Sequence, residues 1–174
     1  PFELAYWQYG LETAQSWRER QGLPRHAHWD TIINNLSALP ENDSIYTAGL
    51  PLAPFLNDAA SNEFDPFKTP EQNGSQQLSE EDFLLKSRSD HPAVLGACAL
   101  IPQHGKTSLY STEKMDETLS WVMGNWNWEK TWGWDYGMVA MAAARLGDPS
   151  TAIDALLTPQ QKNRYLVSGH NFQT

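Results

Sequence analysis

The chain has 174 residues, a formal net charge of −9, one cysteine and eight tryptophans. That length suits one domain of roughly 100–200 residues with a real core. The lone Cys98 excludes an internal disulfide framework and a CxxC zinc site. The acidic balance excludes the basic face that nucleic acid or an anionic membrane requires, and no apolar run reaches the ~18–20 residues of a membrane span. The chain opens on Pro1 with no signal peptide after it, the pattern of a processed, cut or excerpted N-terminus. Tryptophan is the anomaly: four of the eight fall within Trp126–Trp134.

In chain order, Leu4, Trp7, Leu11, Ala14 and Trp17 recur at spacings of three and four and predict a helix over Glu3–Gln21, stopped by Gly22 and Pro24. Trp29, Ile32, Ile33, Leu36 and Leu39 predict a second helix from Trp29 to Leu39, ended by Pro40. Residues 40–79 hold five prolines and no sustained period, and are expected to be a long irregular loop. Within it Phe55, Phe64 and Phe67 suggest attachment to a surface, and Asn73–Gln77 reads as a solvated tip. Ser79 with Asp82 resembles a capping box opening a short helix to about Lys86.

His91-Pro92 opens an apolar segment to Leu100, with Pro at a favourable first-turn position. Ser111 or Thr112 caps a helix over Glu113–Asn125 with Met115, Leu119, Val122 and Met123 on one face. Asp135 to Leu146 is apolar on nearly every side and predicts a helix buried all round, stopped by Gly147. Pro149 to Leu157 has a polar side at Thr151 and Asp154. The short link Gly147-Asp148-Pro149 makes these two helices antiparallel neighbours. With no convincing strand pattern, the expected class is all-α. One buried and one half-exposed helix is the pattern of a double-layered helical barrel.

Trp126-Asn127-Trp128-Glu129-Lys130-Thr131-Trp132-Gly133-Trp134-Asp135 interleaves four indoles with amide, hydroxyl and carboxylate groups. Rigid aromatic faces stack on the C–H faces of sugar rings, and the polar groups suit their hydroxyls. The alternative is that these tryptophans are core residues anchoring a loop. Asp135 at the helix N-terminus reads both as an N-cap and as an ionised carboxylate suited to a general base. Glu129 is the nearest candidate partner, and a solvated loop glutamate beside Lys130 is the competing reading. Asp90-His91-Pro92 and His170-Asn171 are two further polar candidates at segment entrances. His26-Ala27-His28 with Asp30 has two histidines but no ligand cluster around them, so no metal is expected, and no cofactor motif is present.

Three stretches resemble the bacterial six-hairpin glycosidases. They are Glu3-Leu4-Ala5-Tyr6-Trp7 with Gly10–Ala14 and Trp17–Arg20; Trp132–Met138 running into Arg145-Leu146-Gly147; and Lys162–Tyr165 through Ser168–Asn171. The resemblance covers most of the chain outside residues 55–80. It implies an (α/α)6 toroid with a carbohydrate site in the funnel at one end, cleaved by a carboxylic acid and a carboxylate or activated water. Asp135 matches the position of a funnel carboxylate, and the resemblance does not single out the acid; on the leading reading of the residues Asp135 is the base or nucleophile and Glu129 or Asp90 the acid. Trp126, Trp128, Trp132 and Trp134 become stacking platforms, and His91, His170, Asn171 and Arg25 polar contacts.

A complete toroid needs about twelve helices, whereas six or seven are read here, so residues 1–174 are expected to be part of one barrel domain completed by further segments. An incomplete ring would leave the flanks of its inner helices as exposed apolar surface. Two other classes stay open: a non-catalytic helical module binding carbohydrate or protein, and a helical-barrel lyase or epimerase using His or Tyr as base. A periplasmic or secreted location is favoured over a cytoplasmic one.

Overall fold

The structure is a computed structural model, and it describes residues 1–42, 44–47, 88–102 and 108–172. The proposed capping box at Ser79 and the loop aromatics Phe55, Phe64 and Phe67 lie outside the described residues. Six α-helices are present among those described: α1 (Phe2–Arg20), α2 (Ala27–Asn34), α3 (Gly96–Ala99), α4 (Thr112–Asn125), α5 (Gly133–Leu146) and α6 (Pro149–Leu157). The all-α expectation holds, with one addition. Two-residue strands β1 (Glu41–Asn42) and β2 (Ile45–Tyr46) pair antiparallel inside the predicted loop. They are too short to leave an alternating pattern. They are held by tertiary contacts, since the Tyr46 N–H donates to Thr118 Oγ1 on α4 and its hydroxyl accepts from the Ser111 N–H.

The helix ends follow local chemistry. Gly22 (φ 71°) follows the last turn of α1, and Gly147 (φ 85°) ends α5, both in the left-handed region that glycine adopts without a Cβ penalty. Ser111 Oγ accepts the Lys114 N–H to cap α4, and Asp148 Oδ1 accepts the Thr151 N–H to cap α6. Helix α2 corrects the reading: it stops at Asn34, before Leu36 and Leu39. Leu39 is still buried, carried into the core by the chain beyond the helix.

Helix α5 is the centre of the molecule. It packs against α6 across the Gly147-Asp148 link, against α3, against α4, and against two single 3-10 turns, Ala93–Leu95 and Gln161–Asn163. Its Tyr136, Met138, Val139, Ala140, Ala142 and Ala143 are buried. Small side chains let the backbones of α3 and α6 approach closely. Burial all round is corrected, because Trp134, Met141, Ala144 and Arg145 form an exposed strip. Arg145 reaches back from that strip to the carbonyls of Cys98 and Ile101, which lie at and just past the end of α3.

The faces of α1 and α6 also depart from the reading. On α1 the fully buried side chains are Ala5 and Gln15, whereas Trp7 and Trp17 are exposed. Gln15 gives its amide to the His26 carbonyl and Asp30 Oδ1 and accepts the His26 N–H, which ties α2 to α1. On α6, Ala152 and Ala155 are buried, whereas Ile153, Leu156 and Leu157 are exposed.

Candidate functional site

The site forms where two chain segments are tied together beside the N-terminus of α5. The Asn127 N–H donates to the Arg88 carbonyl at 2.9 Å, and the Trp126 indole N–H donates to the Asp90 carbonyl at 2.7 Å. These bonds align residues 88–91 along the connection that precedes α5. The 3-10 turn Ala93–Leu95 then packs on α1, α4 and α5 and buries Val94 and Leu95. His91, two residues before that turn, is thereby set opposite Asp135.

Asp135 is the third residue of α5, not its N-cap: the helix begins at Gly133, capped by Trp132. The carboxylate turns back along the helix, where Oδ2 accepts the Trp132 N–H at 2.9 Å and the Thr131 hydroxyl. This is the reciprocal half of a capping box, with an acid at the third position satisfying the cap residue's N–H. Oδ1 lies 2.9 Å from His91 Nδ1. The Asp135 side chain is 0% exposed and the His91 side chain 31%, so the histidine is the accessible member of the pair.

Two indoles frame His91. Its ring lies 4.4 Å from that of Trp134 and 5.6 Å from that of Trp132, centroid to centroid. Both tryptophans are exposed, at 46% and 44%. The Lys162 ammonium sits 5.8 Å from the Trp132 ring, a cation–π arrangement. Asp90 is largely exposed, and its Oδ1 is 3.8 Å from His91 Nε2, beyond hydrogen-bond distance.

The other two tryptophans are committed to structure. The Trp128 indole N–H donates to the Met123 carbonyl, and its ring packs 5.5 Å from that of Tyr136. Trp126 spends its N–H on Asp90, and both rings are half-buried against the core. Burial pushes the Tyr136 phenol up to about 12, and the neighbouring Asp135 charge adds to the rise. Tyr136 therefore keeps its proton and donates it to the Trp128 carbonyl.

The remaining candidates are more scattered. Glu129 is exposed in the turn before Thr131, and among the described residues no hydrogen bond or ion pair joins it to Asp135 or His91. Arg25 lies in the connection between α1 and α2, paired with Asp30 and 3.5 Å from Glu19. Hydrogen bonds from Arg25 and Gln15 hold the Asp30 carboxyl below its usual range. His170 is exposed and faces Ser168 Oγ at 3.2 Å. Asn171 packs on Gly133, and its buried Nδ2 has no hydrogen-bond partner among the described residues.

Among the described residues no group of three or more His, Cys, Asp or Glu side chains could hold a metal. Thr131, Gly133 and Lys162 also lie at the site. The sequence offers Thr131 as the hydroxyl of the tryptophan-rich stretch, but not as a partner of Asp135. Lys162 is thirty residues from the ring it approaches, so no local pattern pairs the two. Compared with protein-family models, curated proteins and solved structures, the chain matches none.

Proposed function

We propose that this chain carries the sugar site of a glycoside hydrolase, within an (α/α)6 toroid completed by further segments, and that the Asp135–His91 pair is its polar centre. The observation that carries the reading is the pairing of two exposed indoles, Trp132 and Trp134, with a partly exposed histidine backed by a buried carboxylate. Flat apolar platforms flank a proton-exchanging group, the combination that a sugar ring and its hydroxyls require. Trp132 and Trp134 act as the platforms, whereas Trp126 and Trp128 hold the connection in place. Asp90 is the carboxyl group that stands in the open beside His91 and is the acid candidate.

The test is release of sugar from a panel of neutral and acidic glycans by the full protein that contains this chain and by its variants. Asp135→Asn is expected to lower turnover about 10²–10⁴-fold. Trp134→Ala is expected to weaken glycan binding roughly 2- to 10-fold. Near-normal turnover in Asp135→Asn would overturn the assignment, and glycan binding without any released sugar would favour a non-catalytic module.

A lyase or epimerase is the second reading, favoured by the contact between His91 and Asp135. A carboxylate behind a histidine is a common way to orient a base that removes a proton from carbon. An unsaturated, ultraviolet-absorbing product would identify a lyase, and inversion at one ring carbon without cleavage an epimerase.

A further inference from the structure

We infer that Asp135 is a positioning residue that locks His91 in the Nδ1–H tautomer, so that His91 Nε2 is the proton-accepting atom at the mouth of the site. The inference takes its location from the proposed sugar site but rests on the hydrogen-bond geometry alone.

Asp135 has no free face. It is buried, and three groups converge on its two oxygens: the Trp132 N–H and the Thr131 hydroxyl on Oδ2, and His91 Nδ1 on Oδ1. The backbone N–H of Trp132 can only donate. A carboxylate whose Oδ2 already accepts two donors has no proton to give. The proton in the 2.9 Å contact therefore belongs to Nδ1. A ligand cannot reach Asp135 while this arrangement persists.

The opposite tautomer would place a proton on Nε2, where, among the described residues, Asp90 is the carboxylate that faces it. Its Oδ1 is 3.8 Å away and its side chain is 75% exposed, so the interaction is too long for a hydrogen bond and is screened by water. The shorter, buried contact wins. Nε2 is left as a neutral lone pair between Trp132 and Trp134. It can accept from a hydroxyl-bearing ligand or a water held on those rings.

The Thr131 hydroxyl also lies 3.3 Å from the Asp90 carbonyl, beside the segment that carries His91.

The ring nitrogens can be read directly by long-range ¹H–¹⁵N correlation at a pH where the imidazole is neutral, with His91 assigned by the loss of its signals in His91→Gln. The wild-type spectrum is expected to show Nδ1 protonated and Nε2 bare. In Asp135→Asn the side-chain oxygen must still serve the Trp132 N–H, which turns the amide NH2 toward His91. The tautomer is then expected to reverse to Nε2–H. Thr131→Val removes one donor to the carboxylate without touching His91 and is expected to keep Nδ1–H.

A wild-type His91 that is mainly Nε2–H, or a spectrum unchanged in Asp135→Asn, overturns the inference. If Asp135→Asn does not fold, the wild-type spectrum decides, and Nε2–H there overturns the inference. Failure of every glycan to turn over would count against the proposed function and leave the tautomer result intact.

Discussion

The demands on single residues are sharpest at Gly133. A Cβ there would come within 2.5 Å of the Asn171 side chain and of the Lys162 carbonyl oxygen. The carbonyl is backbone and cannot swing aside. Gly133→Ala is therefore expected to cost ~1–3 kcal/mol and to lower the melting temperature. Four residues on, Gly137 meets nothing within 4 Å. Gly137→Ala removes a flexible residue from a helix interior and is expected to add ~0.5–1 kcal/mol. Thermal melts of the two variants should move in opposite directions, and a loss of similar size in both would contradict the close approach at Gly133. In the sequence these two glycines look alike, each beside an aromatic residue in one stretch. Only the segment Lys162–Asn171, folded back from further along the chain, tells them apart. The same holds for Asp135. Its place at a helix start is legible, but its burial depends on His91, 44 residues earlier.

At the scale of the elements, the ends of the helices were readable because capping is local chemistry. Ser111, Gly22, Gly147 and Pro149 each act within one turn of where they stand. Asp148 gives a pH prediction. Its hydrogen bonds from Thr151 hold the carboxyl below its ordinary value of 3.8 in the folded chain. A depressed folded-state value means that the unfolded chain binds the proton more readily. The stabilisation of α6 is then complete above ~pH 5 and is lost as pH falls through the folded-state value, below 3.8. Asp148→Ala is expected to melt lower than the parent at neutral pH, with the gap closing in acid below that value. A gap that stayed constant down to the most acidic melt would mean that the cap does not act through its charge. The faces of the elements were less legible than their ends. On α1 the apolar period pointed inward at Trp7 and Trp17, yet Ala5 and Gln15 are the buried side chains. Periodicity reports that a helix has two sides, and the neighbours decide which side is covered.

For the whole molecule, the notable property is how much apolar side chain stays in the open. Trp7 and Trp17 on α1, and Ile153, Leu156 and Leu157 on α6, are all more than half exposed. Apolar faces of this size suit burial against another surface. The stability of the chain can show whether they are covered in solution. Met138, 2% exposed in the core of α5, is expected to cost ~2–5 kcal/mol on substitution by Ala. Leu157, 73% exposed, is expected to change stability by no more than ~0.5 kcal/mol as Leu157→Gln. Urea unfolding of both variants measures the contrast, and a Leu157→Gln cost close to that of Met138→Ala would mean that this face is packed against something. By itself, the sequence determined the helical class, the main stops and starts, and the concentration of indoles before α5, because each of these rests on interactions within one or two turns of chain. Only the tertiary structure decided which indoles stand open beside His91, which carboxylate is buried, and which helix faces meet the core. Those outcomes depend on contacts between residues tens of positions apart, and no local pattern encodes them.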